Sequence, residues 1–232
     1  MRDTVSFFLP TRKGSKRVIN KNTQPFAGFE GGIFELKIKQ LKQSKLLTEI
    51  VISTNDEECI AIAQKLTGDD DRFKIIERPE DLCLDTTPLQ DLIVYAGAVC
   101  TGNHILWGHA TTPLVEGADY DLAIEAYLKV LPEGFDSLVS VLPIKNFLID
   151  AEKKTFLSAG AEQGKWPRTQ DLKLIYEVNH AVFLTARITY TQHKNRIGQN
   201  LYYYEMSKIK SVDIDWEEDF LIAEAVYIKV HA

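Results

Sequence analysis

Two groups of residues in this chain carry chemistry in their types and spacing. The first is the run Thr11-Arg12-Lys13-Gly14-Ser15-Lys16-Arg17-Val18-Ile19-Asn20-Lys21-Asn22, with five cations between positions 12 and 21 and no acid. Gly14 lets backbone N–H groups come close to a ligand, Ser15 adds a hydroxyl donor, and the cations neutralise negative charge. A triphosphate, with about four charges at neutral pH, needs such a surface. The second group is Asp213-Ile214-Asp215. Two carboxylates one residue apart on a strand point the same way, and such a pair is costly without a cation. Hard oxygen ligands suit Mg²⁺, or Mn²⁺ in its place. Each group has a plainer alternative. The basic run also reads as a solvated loop, and Asp215 also reads as the cap of a helix that starts at Glu217.

Other reactive types offer less. His104 and His109 lie five apart with Gly108 between them, a poor geometry for a shared ion. Cys59, Cys83 and Cys100 sit in or beside apolar-periodic stretches and read as core thiols rather than nucleophiles.

The elements that must position these groups follow from hydrophobic spacing. Strand-like runs are expected at 4–9, 49–53, 73–77, 104–107, 137–142, 179–184 and 211–214. Helical spacing links Cys59, Ile62, Ala63 and Leu66; Leu89, Leu92, Ile93, Ala96 and Cys100; and Tyr120, Ala123, Ile124, Tyr127 and Leu131. A final helix is expected over 217–230, and Asp56 and Asp85 read as caps or first-turn acids. Alternation of this kind predicts an α/β fold of three layers, a mostly parallel sheet covered by helices on both sides. Ligands bind beyond the carboxyl ends of such strands, and the basic run begins where the first strand stops at Pro10. It lacks the spacing of a Walker loop, and Gly28-Phe29-Glu30-Gly31-Gly32 reads as a turn.

After Leu142 the alternation breaks. Residues 143–178, with Gly160, Gly164 and Pro167, are expected to leave the sheet as an excursion within a single domain, 1–232, being too short for a core of their own. Residues 187–205, with Tyr202-Tyr203-Tyr204, read as irregular. The excursion carries Phe147, Leu148, Ile149, Phe156, Leu157 and Trp166, apolar surface of the kind that marks a protein contact.

Composition narrows the class. With 232 residues, 45% hydrophobic and 26% charged, the chain is ordinary globular material rather than disordered. A net charge of −6 argues against nucleic acid as a partner. No apolar run is long enough to cross a membrane, and residues 1–10 do not read as a secretory signal. Three cysteines, an odd number, suit free thiols in a reducing cytoplasm.

The stretch from Leu9-Pro10-Thr11-Arg12 through Gly14-Ser15-Lys16 to Asn20-Lys21-Asn22 resembles the first motif of the acylneuraminate (nonulosonate) cytidylyltransferases, P-A-R-G-G-S-K-G/R-I-P-x-K-N. Further segments follow in that family's order. Ile52-Ser53-Thr54-Asn55-Asp56 is similar to V-S-T-D-D. Glu77-Arg78-Pro79-Glu80-Asp81-Leu82, then Asp85, is similar to R-P-x-E-L-x-x-D. Ala110-Thr111-Thr112-Pro113-Leu114 is similar to Q-P-T-S-P-L. Pro167-Arg168-Thr169-Gln170, then Asn179-His180-Ala181, resembles P-R-Q-x … N-G-A. Asp213-Ile214-Asp215 with Glu217-Glu218-Asp219-Phe220 and Ala223-Glu224 resembles D-I-D-T-E-E-D-F … A-E.

This resemblance implies a Rossmann-like nucleotidyltransferase fold. It also implies transfer of CMP from CTP to the anomeric hydroxyl of a sialic-acid-like sugar acid, with release of pyrophosphate, for surface glycan synthesis. Arg12, Ser15, Lys16, Lys21, Asn22 and Arg78 would bind the nucleotide, Arg78 having a surface ion pair as its alternative. Asp213 and Asp215 would hold Mg²⁺ or Mn²⁺. Arg12, Lys21 and the two aspartates would act on the reacting phosphate. His109, Thr111, Arg168, Gln170, Asn179 and His180 would face the sugar acid, and the excursion would make a homodimer. The alternatives are another acid, such as 3-deoxy-manno-octulosonate, or a nucleotide-binding protein without catalysis. Lys13 stands in place of one of the family's two loop glycines, His109 in place of its glutamine, and Ala110 in place of its proline. His180 replaces the glycine of N-G-A, where its ring either shapes the sugar pocket or packs beneath the sheet.

Overall fold

The computed structural model describes residues 3–158 and 166–232. In chain order the elements are β1 (Val5–Pro10), α1 (Gly32–Gln43), β2 (Glu49–Thr54), α2 (Glu57–Thr67), β3 (Phe73–Glu77), α3 (Leu89–Val99), β4 (His104–Trp107), α4 (Gly117–Val130), β5 (Ser137–Ile144), β6 (Ile149–Asp150), β7 (Thr155–Phe156), β8 (Ile175–Ala186), α5 (Arg187–Thr191), β9 (Leu201–Glu205) and α6 (Glu217–Val230). The seven-stranded sheet has the order β3-β2-β1-β4-β8-β5-β9. Every pairing is parallel except those of β8, which runs antiparallel to both β4 and β5. The strand order reverses between β1 and β4, so the crevice beyond Pro10 and Trp107 is where ligands bind in sheets of this type.

Alternate residues of the strands feed two cores. Phe7, Leu9, Ile50, Ile52, Leu106 and Leu184 pack with the buried faces of α1, α2, α4 and α6. Phe8, Val51, Ile105, Trp107, Val139 and Phe183 pack with α3 and α5. Burying each of these large side chains contributes about 2 kcal/mol, so both faces of the sheet are held by apolar burial. The expected three-layer α/β architecture is what these residues build.

Local chemistry explains where the expectations hold and where they fail. Asp56 caps α2 as expected, its carboxylate accepting from the backbone N–H groups of Glu58 and Cys59. Asp85 caps nothing: α3 starts at Leu89 behind Pro88, and the Asp85 carboxylate turns instead to Arg12 and Lys16. Residues 211–214 form no strand, because the N–H of Ser211 bonds Ser207 and that of Ile214 bonds Thr111, leaving no ladder to join. The last strand is β9, in the stretch read as irregular, where Tyr202, Tyr203 and Tyr204 pair beside β5. The sheet also claims 143–144 and 175–178, so the excursion is 145–174. It holds the two-stranded hairpin of β6 and β7 and an aromatic cluster of Phe147, Phe156 and Trp166. Gly160 and Gly164 lie outside the described residues.

Candidate active site

The basic loop leaves β1 over a buried support. The N–H of Thr11 donates to the carbonyl of Ser53 at 3.0 Å. Arg78, only 3% exposed, lies beneath, donating from Nε to Ser53 Oγ at 3.1 Å and from Nη2 to the carbonyls of Thr11 at 2.7 Å and Ser53. No carboxylate pairs with it among the described residues, which corrects the surface-ion-pair reading, and burial lowers its pKa. Gly14 adopts φ +83°, a left-handed conformation that a side chain would strain.

Every cation of the loop is tied to another segment. Arg12 pairs with Asp85 at 2.5 Å and donates to the Cys83 carbonyl at 3.1 Å, and Lys16 pairs with the other oxygen of Asp85. Lys13 pairs with Glu57 at 2.7 Å. Arg17 pairs with Asp215 at 2.9 Å. Lys21 donates to the carbonyl of Ile214 at 2.9 Å and stands 3.9 Å from Asp215. Burial pulls the Lys21 pKa down, while Asp215 and Asp213 oppose the shift. A freely solvated loop would not be cross-linked to three separate segments. Asn22 sits at the loop's end, its side-chain amide 3.5 Å from the Arg12 carbonyl and its own carbonyl accepting from the N–H of Phe34. Two hollows open here. One of about 290 Å³ lies between Gly14, Ser15, Lys21 and the acids Asp56, Glu57 and Glu58. One of about 450 Å³ is lined by Arg12, Ser15, Lys16, Lys21, Asp85 and Thr111.

The carboxylate pair flanks the larger hollow through Lys21 and Thr111, which line it. Ile214 is held by its N–H to the Thr111 carbonyl at 2.9 Å, so Lys21, Thr111 and the two aspartates form one unit. Asp213 Oδ1 is buried and has no hydrogen-bond partner among the described residues. Burial raises the pKa of this carboxyl; the Thr111 hydroxyl and the charge of His180 lower it, and Asp215 adds to the rise. Asp215 does not cap α6. Asp219 does, accepting from the N–H groups of Asp215 at 3.0 Å and Trp216 at 2.8 Å. An inward carboxylate oxygen without a donor, beside a second carboxylate, is a donor set suited to a hard divalent cation. Among the described residues no cluster of three or more His, Cys, Asp or Glu forms a metal centre.

The residues expected around the sugar divide into two groups. Thr111, His109 and His180 gather near the carboxylates. His180 has φ 58°, so histidine occupies a backbone conformation that glycine adopts without strain. It is exposed, its ring 6.2 Å from that of His109, which excludes the reading in which it packs beneath the sheet. Asn179 is 4% exposed, and its amide is engaged by Ser140 at 2.5 Å, Ser211 at 2.9 Å and the N–H of Ala181 at 3.3 Å. It holds the bulge where β8 slips against β5. Arg168 is exposed and paired with Asp171 at 2.8 Å, and the carbonyl of Gln170 accepts from Lys145. Among the described residues no hydrogen bond or ion pair joins Arg168 or Gln170 to the others.

Three residues of this region escaped the sequence reading. Asp85 looked like a cap. Lys37, fully buried in α1, donates to the carbonyls of Thr112 and Val115 and to Tyr120 Oη at 2.9 to 3.0 Å, fixing the loop after β4 from below. Its place inside an apolar helix face was the available signal. Arg196 had no local signal at all. The cysteines are free and buried, and burial raises all three thiol pKa values.

Comparison with known proteins bears on this geometry. The chain is 27% identical over 223 residues to the post-translational flagellin modification protein B of Campylobacter coli, covering 92% of this chain and 90% of that one. It is 25% identical to the N-acylneuraminate cytidylyltransferase of Escherichia coli O18:K1:H7, over 99% of this chain but 53% of that protein, so it spans about half the length of that relative. It is 23% identical to the pseudaminic acid cytidylyltransferase of Campylobacter jejuni, over 94% of both chains. Among solved structures, CMP:2-keto-3-deoxy-manno-octonic acid synthetase complexed with CTP superposes with a TM-score of 0.65 at 11% identity, covering 98% of this chain and 99% of that one. The family model described as cytidylyltransferase matches residues 7–229, from β1 through the loop and the carboxylate pair into α6, and the chain belongs to that family.

Proposed function

We propose that this cytidylyltransferase joins CMP from CTP to the anomeric hydroxyl of a nonulosonic acid and releases pyrophosphate, for surface glycan synthesis. The observation that carries the reading is Lys21: its ammonium ties the phosphate-binding loop to the segment holding Asp213 and Asp215. A triphosphate in the 450 Å³ hollow would replace Asp85 at Arg12 and Lys16 and lie with its α-phosphate toward the aspartates. The anomeric oxygen forms the new P–O bond, the bond to the β-phosphate breaks, and the cations stabilise the charge that gathers on the phosphoryl oxygens. Asp213 and Asp215 would hold Mg²⁺ or Mn²⁺, which supplies further charge neutralisation and favours loss of the anomeric proton when bound. Arg12 and Lys21 act on the reacting phosphate and Ser15, Lys16 and Asn22 hold the rest of the nucleotide, while Arg78, expected to bind it directly, supports the loop from beneath.

The names of the relatives support a sialic-acid-like or pseudaminic acid-like substrate. A second reading, 3-deoxy-manno-octulosonate, is favoured by the structural likeness to the synthetase of that acid. Pyrophosphate release with CTP and Mg²⁺, measured over N-acetylneuraminic, pseudaminic and legionaminic acids and 3-deoxy-manno-octulosonate, decides between them. Binding of CTP without release from any acid would overturn both.

The protein acts as a homodimer in the cytoplasm. Support for the dimer comes from Ile149, Leu157 and Trp166 on the excursion, exposed by 54% or more, and from the half-exposed stack of Tyr176 on Tyr203 at 5.3 Å. Light scattering returning a mass near the chain's 26.3 kDa at micromolar concentration would refute it. The cytoplasm is supported by three buried free thiols and the use of CTP. No described helix is long and apolar enough to cross a membrane.

A further inference from the structure

Trp107 and Phe183 face each other across the β4–β8 pairing. Arg196, in the loop after α5, lies over both rings, with its guanidinium carbon 3.8 Å from the Phe183 centroid and 5.1 Å from that of Trp107. Stacking uses the flat face of a guanidinium and leaves its in-plane fork of N–H donors free. Among the described residues nothing accepts from that fork, and no carboxylate pairs with it. The side chain is nevertheless half-buried, and burial lowers its pKa. Its nitrogens are not among the buried orphaned atoms, so the fork opens to the surface. The five cations of the basic loop all have partners, whereas Arg196 is desolvated, oriented and unclaimed.

Its surroundings place it on the rim of the same site. The ring of His109 stands 6.4 Å from that of Trp107 and 6.5 Å from that of Phe183, and the ring of His180 stands 6.0 Å from Phe183, so the two rings under Arg196 border both histidines. The imidazole of His109 is neutral, bonded through Nε2 to the indole N–H of Trp107 at 3.0 Å, and brings no anion to satisfy the guanidinium. Arg168, the cation expected to face the acid, is 74% exposed and already bonded to Asp171.

We propose that Arg196 binds the carboxylate of the acid co-substrate as a bidentate pair and thereby sets the orientation from which its anomeric oxygen attacks. The proposal rests on the reading that the second substrate is a sugar acid. The anomeric carbon of such an acid bears the carboxylate directly, so fixing one positions the other. A half-buried fork left without its anion makes a neutral analogue a poor ligand.

The test uses the whole protein with Mg²⁺ and saturating CTP. The probes are whichever of N-acetylneuraminic, pseudaminic or legionaminic acid or 3-deoxy-manno-octulosonate is turned over fastest, and the carboxamide of that acid. Arg196→Met, which keeps much of the stem over the rings, is expected to raise the KM of the acid at least about tenfold while the KM of CTP stays within about twofold. Wild type is expected to favour the acid over its carboxamide by about a hundredfold or more, and Arg196→Met to lose most of that preference. Arg196→Lys keeps the charge and is expected to fall between them, which guards against a folding defect in the methionine variant. An acid KM and an acid-to-carboxamide ratio unchanged in both variants would overturn the proposal and leave Arg196 as a cover for Trp107 and Phe183. Failure of wild type to use any of these acids would remove the sugar-acid reading itself, and this proposal with it.

Discussion

His109 donates its Nδ1 proton to the carbonyl of His180 at 2.9 Å while its Nε2 accepts from the indole of Trp107 at 3.0 Å. The indole has only a donor, so the tautomer is fixed and both ring nitrogens are spent inside the fold. His109 thus shapes the rim by holding the left-handed backbone at His180.

Acid should expose this arrangement. Burial lowers the His109 pKa to about 4, below the ordinary histidine value of about 6.5. Between those values the unfolded chain binds the extra proton, so stability present above about pH 6.5 is lost as pH falls toward 4, at up to about 1.4 kcal/mol per unit. Urea denaturation of wild type and His109→Gln across that window is expected to show a shallower acid loss in the variant. Parallel curves would show that His109 does not stay neutral.

His180→Gly should gain stability. Histidine at φ 58° bears a cost of about 1 to 2 kcal/mol that glycine escapes, partly offset by the freedom glycine has when unfolded. A net gain of about 0.5 to 1 kcal/mol is expected in urea denaturation. Because the ring is exposed on the site's rim, its removal is also expected to raise kcat/KM for N-acetylneuraminic acid relative to pseudaminic acid. A loss of stability beyond about 1 kcal/mol would mean that the ring makes contacts worth more than the backbone strain.

The two aspartates should separate in stability but not in activity. Asp213→Asn replaces a half-desolvated carboxyl whose pKa is raised, and it is expected to leave the fold as stable as before or more so. Asp215→Asn breaks a half-exposed pair with Arg17, a loss of no more than about 1 kcal/mol. Pyrophosphate release is expected to fall more than about a hundredfold in both. Activity within tenfold of wild type would remove that residue from the proposed metal site.

Lys37 should make stability depend on pH on the alkaline side. Burial brings its pKa down to about 7, against about 10.4 for an unfolded lysine. From pH 7 to 10 the unfolded chain therefore holds more protons, and the stability contributed at this site rises with pH. The neutral amine still satisfies its neighbours, donating to Thr112 and Val115 and accepting from the Tyr120 hydroxyl. Lys37→Met is expected to lose ground to wild type as pH is raised from 7 to 9 in paired urea denaturations. A constant difference between the two would show that Lys37 keeps its charge.

The parts of the fold legible in the sequence are those where apolar spacing and burial coincide, as in β1 to β4 and α2 to α4. The helix α1 escaped because Lys37 and Gln40 share its buried face with Ile33, Phe34 and Leu41, so polar letters interrupt the period. β9 escaped because an edge strand needs no alternation of apolar residues. In the site, the basic loop and the aspartates announce themselves by composition. The guanidinium of Arg196 and the carboxylate of Asp85 gain their meaning only from partners far away in sequence, which no local pattern encodes.

The position of Asp85 has a consequence for which anions the loop admits. One carboxylate answers two cations, Arg12 and Lys16. A singly charged anion arriving there would exchange like for like and lose its own freedom of motion, so it gains nothing over the resident side chain. On the proposed function, a triphosphate would bring about four charges and reach Lys21 as well, and so would outcompete a tethered carboxylate that exposed pairing holds only weakly. The loop thereby carries its own competitor against small anions.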